Sequence, residues 1–480
     1  MGTLRRTKIV ATVGPATDDP HVLEEMLHEG LDVARLNASH GTRDDQRRRL
    51  KMLREISQAV DKPVGILLDL RGPKIRIEGF QSGKVMLEEG KSFILDTALD
   101  PKAGNLEGVG VAYKNLPKDV TPGDTLLLND GQIVLGVEAV TTTRITTRVK
   151  VGGELSDRKG LNRQGGGISA PALSDQDRDD IRFAAEEGID YIAVSFARSA
   201  NDIEQARSVA RKSGSHARIL AKIERQEAVQ NLVEITEAAD AVMVARGDLG
   251  VEMGYAELTG LQKTIIHESR MQNRVVITAT QMMESMIHNP MPTRAEVSDV
   301  SNAVMDGSDA VMLSAETATG KYPVKAVKAM AQVIEGAEKY QLRHERMRHR
   351  VEGHFKSQEE AIAMAVMYTA NHMKVRAIVA LTESGATPLW MSRIRSDIPI
   401  YAFTRHEVTR RRVTLYRGVY PVVYDVPDQQ STEQLYHSIF KRLLELSLVE
   451  RGDLVILTKG ELSGIEGGTN SLQILKVALD

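Results

Sequence analysis

The sequence contains no cysteine, which excludes disulfides, thiolate catalysis and cysteine-ligated metals together. It has no run approaching the ~18 consecutive apolar residues of a membrane-crossing helix, so no membrane partner is expected. Its start, MGTLRRTKIVATVG, carries charge but no apolar core followed by a cleavage site, so the reading is of a cytoplasmic protein without a signal peptide. Charge of one sign is also missing: a formal net charge of −3 over 480 residues makes nucleic acid an unexpected partner. The one tryptophan, Trp390, lies at helical spacing from Arg393 and Ile394 and reads as packing. What remains is an ordinary globular composition, 42% apolar and 26% charged. The chain is too long for a single core, so two or three domains are expected.

From Thr7 onward, short β-rich apolar runs alternate with amphipathic helical stretches. Eight such runs occur, at 7–14, 31–39, 63–70, 189–196, 217–224, 241–248, 274–281 and 309–316. Near-continuous apolar strands alternating with helices predict a parallel sheet covered on both faces, and eight units predict a closed (β/α)8 TIM barrel. An open doubly wound sheet is the alternative, but the G-x-G-x-x-G fingerprint does not follow the first strand. Thr293 and Glu296 fit a capping box, and Ser174 precedes an acidic first turn.

The central stretch is AKIERQEAVQNLVEITEAADAVMVARGDLGV, residues 221–251, which reads as strand–helix–strand. Period-two alternation places Lys222 with Glu224, and Arg246 with Asp248, on shared strand faces. Two carboxylates beside an ammonium at strand ends suit a hard divalent cation and an anionic substrate; taken alone, the same residues read more readily as surface salt bridges. Their position decides between these readings. Arg35, Asn37, Asp69, Ser195, Lys222, Glu224, Asp248, Thr280, Ser314 and Glu316 all fall at the carboxyl ends of predicted strands, the rim where barrel active sites are built.

Between about Gly72 and Gly167 the helical period gives way to β-type text with turns at Pro122-Gly123-Asp124 and Asp130-Gly131. A small β-barrel inserted in the top of the barrel is predicted, placed to act as a water-excluding lid. The return Gly165-Gly166-Gly167 reads as a hinge or as a flexible linker. After about Arg350 a second alternation predicts an open α/β domain. The predicted division is 1–71 with 168–346 for the barrel, 72–167 for the lid and 347–480 for the C-terminal domain. Two Ser/Thr/Gly-rich turns there, TESGAT (382–387) and TKGELSGIEGG (458–468), offer backbone amides and hydroxyls to a phosphate, or are simply turns.

Taken together, RLNASHG (35–41), LDLRGPKIR (68–76), SFAR (195–198), AKIERQEAV (221–229), VMVARGDLGVE (242–252), the long segment 278–323 and the TESG turn resemble the pyruvate kinase family along essentially the whole chain. The resemblance implies transfer of a phosphoryl group from phosphoenolpyruvate to ADP, giving pyruvate and ATP in glycolysis. It implies that Glu224 and Asp248 hold Mg2+, with Mn2+ able to substitute, that Lys222 neutralises the phosphoryl group in flight and that Arg35 grips it. Gly247 and Thr280 would clamp the substrate carboxylate, with Thr280 near the proton path and Ser314 and Glu316 as relay candidates. Asn37, His40, Arg76 and Lys159 would face the nucleotide. A homotetramer is also implied. The rival enzyme reading is a barrel lyase or aldolase acting on a magnesium-bound pyruvate enolate.

Two positions depart from the family pattern. Potassium-binding members match Asn37, Ser39, Asp69 and the Leu70 carbonyl, but where they read GPEIR this chain has Lys74. The expectation is that the Lys74 ammonium replaces K+, which is then not required. Ala386 stands in TESGAT where relatives often carry arginine; with Thr382, Ser384 and Thr387 as effector residues, activation by a sugar monophosphate or AMP is expected.

Overall fold

The structure is a computed structural model and describes residues 4–344, 355, 357–425, 431–460 and 468–478. Eight parallel strands close into one barrel in chain order: Lys8–Thr12, Val33–Asn37, Gly65–Asp69, Tyr191–Val194, Arg218–Ile223, Ala241–Ala245, Val275–Ala279 and Ala310–Leu313. Pairing of Lys8 with Ala310 shuts the ring. These are the eight predicted runs. Their near-continuous hydrophobicity has a geometric cause, because period two sends alternate residues to two different cores. Ile9 and Ala11 face the outer helices, while Val10, Leu67, Ala193, Leu220, Met243 and Ile277 fill the interior.

Helices Pro20–Glu29, Arg43–Ala59, Asp175–Glu186, Ala200–Lys212, Leu232–Ala238, Leu258–Met271, Arg294–Asp306 and Pro323–His344 surround the ring. The capping boxes form as expected: the Ser174 hydroxyl accepts from Asp177 N–H, and that of Thr293 from Glu296 N–H. Met282, Met283 and Met286 are fully buried.

The insertion leaves the barrel after its third strand. Gly72 makes the departure at φ +63, where a Cβ would come within 2.7 Å of Ser195 and Phe196 side-chain atoms; only glycine passes that close in that conformation. The inserted part forms the expected small β-barrel. Its strands form one six-stranded sheet, bounded by Leu161–Arg163 and Gly108–Gly110, and a two-stranded ribbon of Lys84–Leu87 with Gly153–Ser156. Residues 75–78 bridge the sheet's two edges: Leu161 N–H donates to the Ile75 carbonyl at 2.9 Å and Ile77 N–H to the Lys159 carbonyl at 3.0 Å on one side, and Glu78 N–H to the Gly110 carbonyl at 2.7 Å on the other. The sheet carries register shifts near Val134 and Val137, which favour bending, and it encloses its own apolar core.

The C-terminal part is an open five-stranded sheet, with Ala377–Leu381 central and a final antiparallel strand, Thr469–Lys476. It docks against the amino ends of the barrel strands. Arg393 Nη1 and Nη2 donate to Asp309 at 2.9 and 2.5 Å, Arg411 pairs with Asp190, and the Tyr191 hydroxyl donates to the Arg412 carbonyl at 2.7 Å. Trp390 packs against this shared core, as its spacing predicted. The lid therefore covers one end of the barrel and the C-terminal domain the other. The boundary expected at 346/347 and most of the TKGELSGIEGG turn lie outside the described residues.

Candidate active site

Three strands that are distant in sequence deliver the centre of the site. Lys222 comes from the fifth strand, Asp69 from the end of the third, and Ser195 follows the fourth. The Lys222 ammonium donates to Ser195 Oγ at 2.8 Å and lies 3.2 Å from Glu224 Oε2 and 3.4 Å from Asp69 Oδ1. Burial works against its charge, but Asp69 and Glu224 outweigh it and raise the Lys222 pKa, so the ammonium stays charged. Arg35 reaches the same carboxylate from the second strand, with Nε and Nη2 at 2.8 and 2.7 Å from Asp69 Oδ2, while Nη1 donates to the Thr12 hydroxyl at 2.9 Å. Asp69 is itself buried, which alone would raise its pKa; Lys222 and Arg35 prevail and lower it.

Glu224 is 1% exposed. Its Oε1 accepts from Phe196 N–H at 2.6 Å, offered by a residue at φ +56. Its Oε2 is buried and has no hydrogen-bond partner. Burial, and then the nearby Asp248 charge, raise its pKa against the pull of Lys222. A carboxylate oxygen without a hydrogen-bond donor, beside a second carboxylate, fits a divalent cation: hard oxygen donors, only two of them from protein, leave room for water and substrate. Among the described residues there is no group of three or more such ligands.

The reading of Arg246 and Asp248 as neighbours on one strand face is corrected. The strand ends at Ala245, and Arg246–Met253 is a helix. Asp248 in its first turn faces the mouth. Arg246 turns back into the protein and donates to the carbonyls of Ala279 at 3.2 Å and Thr280 at 2.6 Å, and to Asp299 at 2.7 Å. It holds a segment in which Thr280 and Gln281 both have positive φ, +70 and +51, a costly conformation for a β-branched residue. Gly247 N–H donates to Thr280 Oγ1 at 2.8 Å, so the two expected clamp groups meet.

Glu316, a relay candidate, is engaged by backbone. Its two oxygens accept the Met283 and Ser314 amides at 3.1 and 2.7 Å, and it is 2% exposed. It braces two loops, and Ser314 sits at the edge of that brace. Asn37 Oδ1 accepts from Ser39 N–H at 3.0 Å, and the Leu70 carbonyl accepts from Ser195 Oγ at 2.8 Å. Lys74 stands elsewhere, 3.1 Å from Asp248 Oδ1 and 3.6 Å from Asp130 Oδ1.

His40 is exposed at the mouth, and burial, Arg35, Arg76 and Arg71 together lower its pKa. Arg76, exposed, donates to the Arg158 carbonyl at 3.0 Å, and Lys159 follows on the same lid strand edge, its carbonyl accepting from Ile77 N–H. In the C-terminal domain Thr382 Oγ1 accepts from Gly385 N–H at 2.9 Å and Ser384 is partly exposed. Thr387 is not presented to a ligand: it is 4% exposed and hydrogen-bonded to Thr469 Oγ1 at 2.6 Å. Sequence reasoning named Ser195 only as a strand ending and gave Arg246 the wrong face; the SFAR and ARGD motifs contained both.

Fold and site together define a (β/α)8-barrel enzyme whose covered mouth balances carboxylates against cations for an anionic substrate. Family comparison agrees at both ends: residues 4–327 match the pyruvate kinase barrel domain and 360–475 its alpha/beta domain. A pyruvate kinase II of Salmonella typhimurium is 52% identical over 478 residues, covering 99% of each chain. A pyruvate kinase of Buchnera aphidicola is 51% identical over 477 residues, 98% of this chain and 99% of the relative. One of Geobacillus stearothermophilus is 41% identical over 473 residues, 98% of this chain and 80% of the relative. The chain belongs to the pyruvate kinase family and is a phosphotransferase.

Proposed function

We propose that this enzyme transfers the phosphoryl group of phosphoenolpyruvate to ADP, releasing pyruvate and ATP, within the cytoplasm and as the last step of glycolysis. One observation carries the reading: a buried, charged Lys222 is ion-paired with a Glu224 oxygen that has no hydrogen-bond donor, with Asp248 across the mouth. Lys222 offsets negative charge on the phosphoryl group in flight, and Arg35, held in line by Asp69, grips the same group. Thr280 Oγ1 and the Gly247 amide exchange their mutual hydrogen bond for the substrate carboxylate. Thr280 also faces the enolate methylene, and Ser314 borders that path. Glu224 and Asp248 would hold Mg2+ or Mn2+, which when bound supplies positive charge to the enolate oxygen. His40, Asn37, Arg76 and Lys159 face the nucleotide, the last two from the lid (72–167).

K+ is not required in this reading. The groups that would ligate it are engaged: Asp69 by Arg35 and Lys222, and the Leu70 carbonyl by Ser195. In tetramethylammonium buffer, adding KCl leaves the rate within a few-fold; a tenfold rise defeats the point. An effector of the sugar monophosphate or AMP class docks at the 382–385 turn without Thr387, and a homotetramer is the working assembly; saturation curves with those effectors, and light scattering, test each.

The deciding experiment is ADP-dependent ATP formation from phosphoenolpyruvate, in wild type and Lys222→Met. We expect turnover in the first and a loss of about 10^3-fold or more in kcat in the second, with substrate binding largely kept. Pyruvate-enolate cleavage or condensation without ATP formation would favour a lyase or aldolase instead.

A further inference from the structure

Lys74 does something that replacing an alkali ion beside Asp69 does not describe. It lies on the leg of chain that enters the lid, and its ammonium bridges Asp248 Oδ1 at 3.1 Å and Asp130 Oδ1 at 3.6 Å. Among the described residues it is the one cation within ion-pair distance of Asp248. Asp130 belongs to the lid turn Asn129-Asp130-Gly131, whose φ angles are +51, +54 and +86. The Tyr255 hydroxyl, just beyond the Asp248 helix, donates to the Asp130 carbonyl at 3.4 Å. The lid also leaves a slot for the lysine: a Cβ on Gly160 would stand 2.9 Å from Lys74 Cε. The lid turn, the lysine and the metal-side carboxylate thus form one chain of contacts.

We propose that Lys74 is a resident cation that competes with the divalent ion for Asp248 and, through Asp130, ties the lid turn to that carboxylate until the ion arrives. This rests on the reading that Glu224 and Asp248 hold the ion. A divalent cation and an ammonium on one carboxylate oxygen repel each other strongly inside a protein. Entry of the ion therefore displaces the lysine, and the lid turn loses its ion-pair anchor on the barrel, keeping the long Tyr255 hydrogen bond. Free from Asp248, Lys74 keeps its charge at the mouth, where the anionic substrate enters.

The test uses the full chain without substrates, measuring Mn2+ affinity by electron paramagnetic resonance and amide hydrogen exchange at residues 129–131 with and without Mn2+. In wild type, Mn2+ speeds exchange at that turn. In Lys74→Met the turn exchanges at the faster rate with or without metal, and Mn2+ binds about three- to fivefold more tightly, the equivalent of one partly exposed ion pair. Asp130→Asn loosens the turn but leaves Mn2+ affinity within about twofold. Exchange in wild type that ignores the metal, or Lys74→Met with unchanged or weaker Mn2+ binding, overturns the proposal. Glu224→Gln separates the two levels. If it binds Mn2+ as wild type does, the metal-site reading falls; if it loses Mn2+ while Lys74→Met behaves as wild type, only the latch falls.

Discussion

Arg246 Nη2 donates to the Thr280 carbonyl at 2.6 Å, so a buried guanidinium fixes a threonine that sits at φ +70. The left-handed backbone aims the Thr280 hydroxyl at the Gly247 amide, 2.8 Å away. Arg246 acts on the substrate only through this loop. Arg246→Ala should lower kcat/KM by roughly 10^2-fold, as misplacement by an ångström does. Arg246→Lys should recover little, because one ammonium cannot span the Ala279 and Thr280 carbonyls and Asp299 together. Steady-state kinetics beside thermal melting check this: a drop in kcat/KM that merely tracks partial unfolding would refute the positioning role.

Glu316 gives a second test, because a brace and a proton relay predict different pH behaviour. Both of its oxygens accept backbone amides. Glu316→Gln keeps one acceptor and should destabilise the protein by about 1–3 kcal/mol, the cost of a lost buried hydrogen bond. The pH–rate profile should keep its shape. A displaced limb in that profile would return Glu316 to the relay.

At the foot of the lid, burial raises the Glu252 carboxyl to about 7, against the pull of Arg225 and the Gln226 amide, which donates to it at 3.1 Å. A folded-state pKa above the unfolded value means that the folded protein holds the proton longer. The resulting stabilisation is complete below about pH 4.5 and is lost as pH rises through about 7. Glu252→Gln should remove that slope, so the difference between variant and wild type grows by up to about 3 kcal/mol from acid to mildly alkaline pH. Urea unfolding followed across that range measures it; parallel curves for the two proteins would show that Glu252 titrates normally.

Much of this architecture was legible in the chain because it repeats locally. Strand and helix periods are properties of neighbouring residues, and eight β-rich runs at barrel spacing leave few ways to bury both faces. The lid was legible as a small β-barrel, but the segment that shuts it was not: residues 75–78 bridge the edges at Leu161–Arg163 and Gly108–Gly110, a pairing between positions far apart in the chain. AVMVARGD read as strand to its last residue, and only the packing of the next helix shows the strand stopping at Ala245. That three-residue change of element sends Arg246 inward and Asp248 outward.

The sequence by itself determined the barrel, its order, the covered mouth and the kinds of side chain at its rim, because hydrophobic periodicity and strand ends are local facts. Tertiary structure alone decided which charges meet. Asp69 with Arg35 and Lys222, Glu224 Oε2 with Lys222 for its ion pair but no hydrogen-bond donor, and Lys74 on Asp248 rather than beside Asn37 all depend on distances between strands far apart in the chain. A charge finds its partner through space, and ring closure sets those distances.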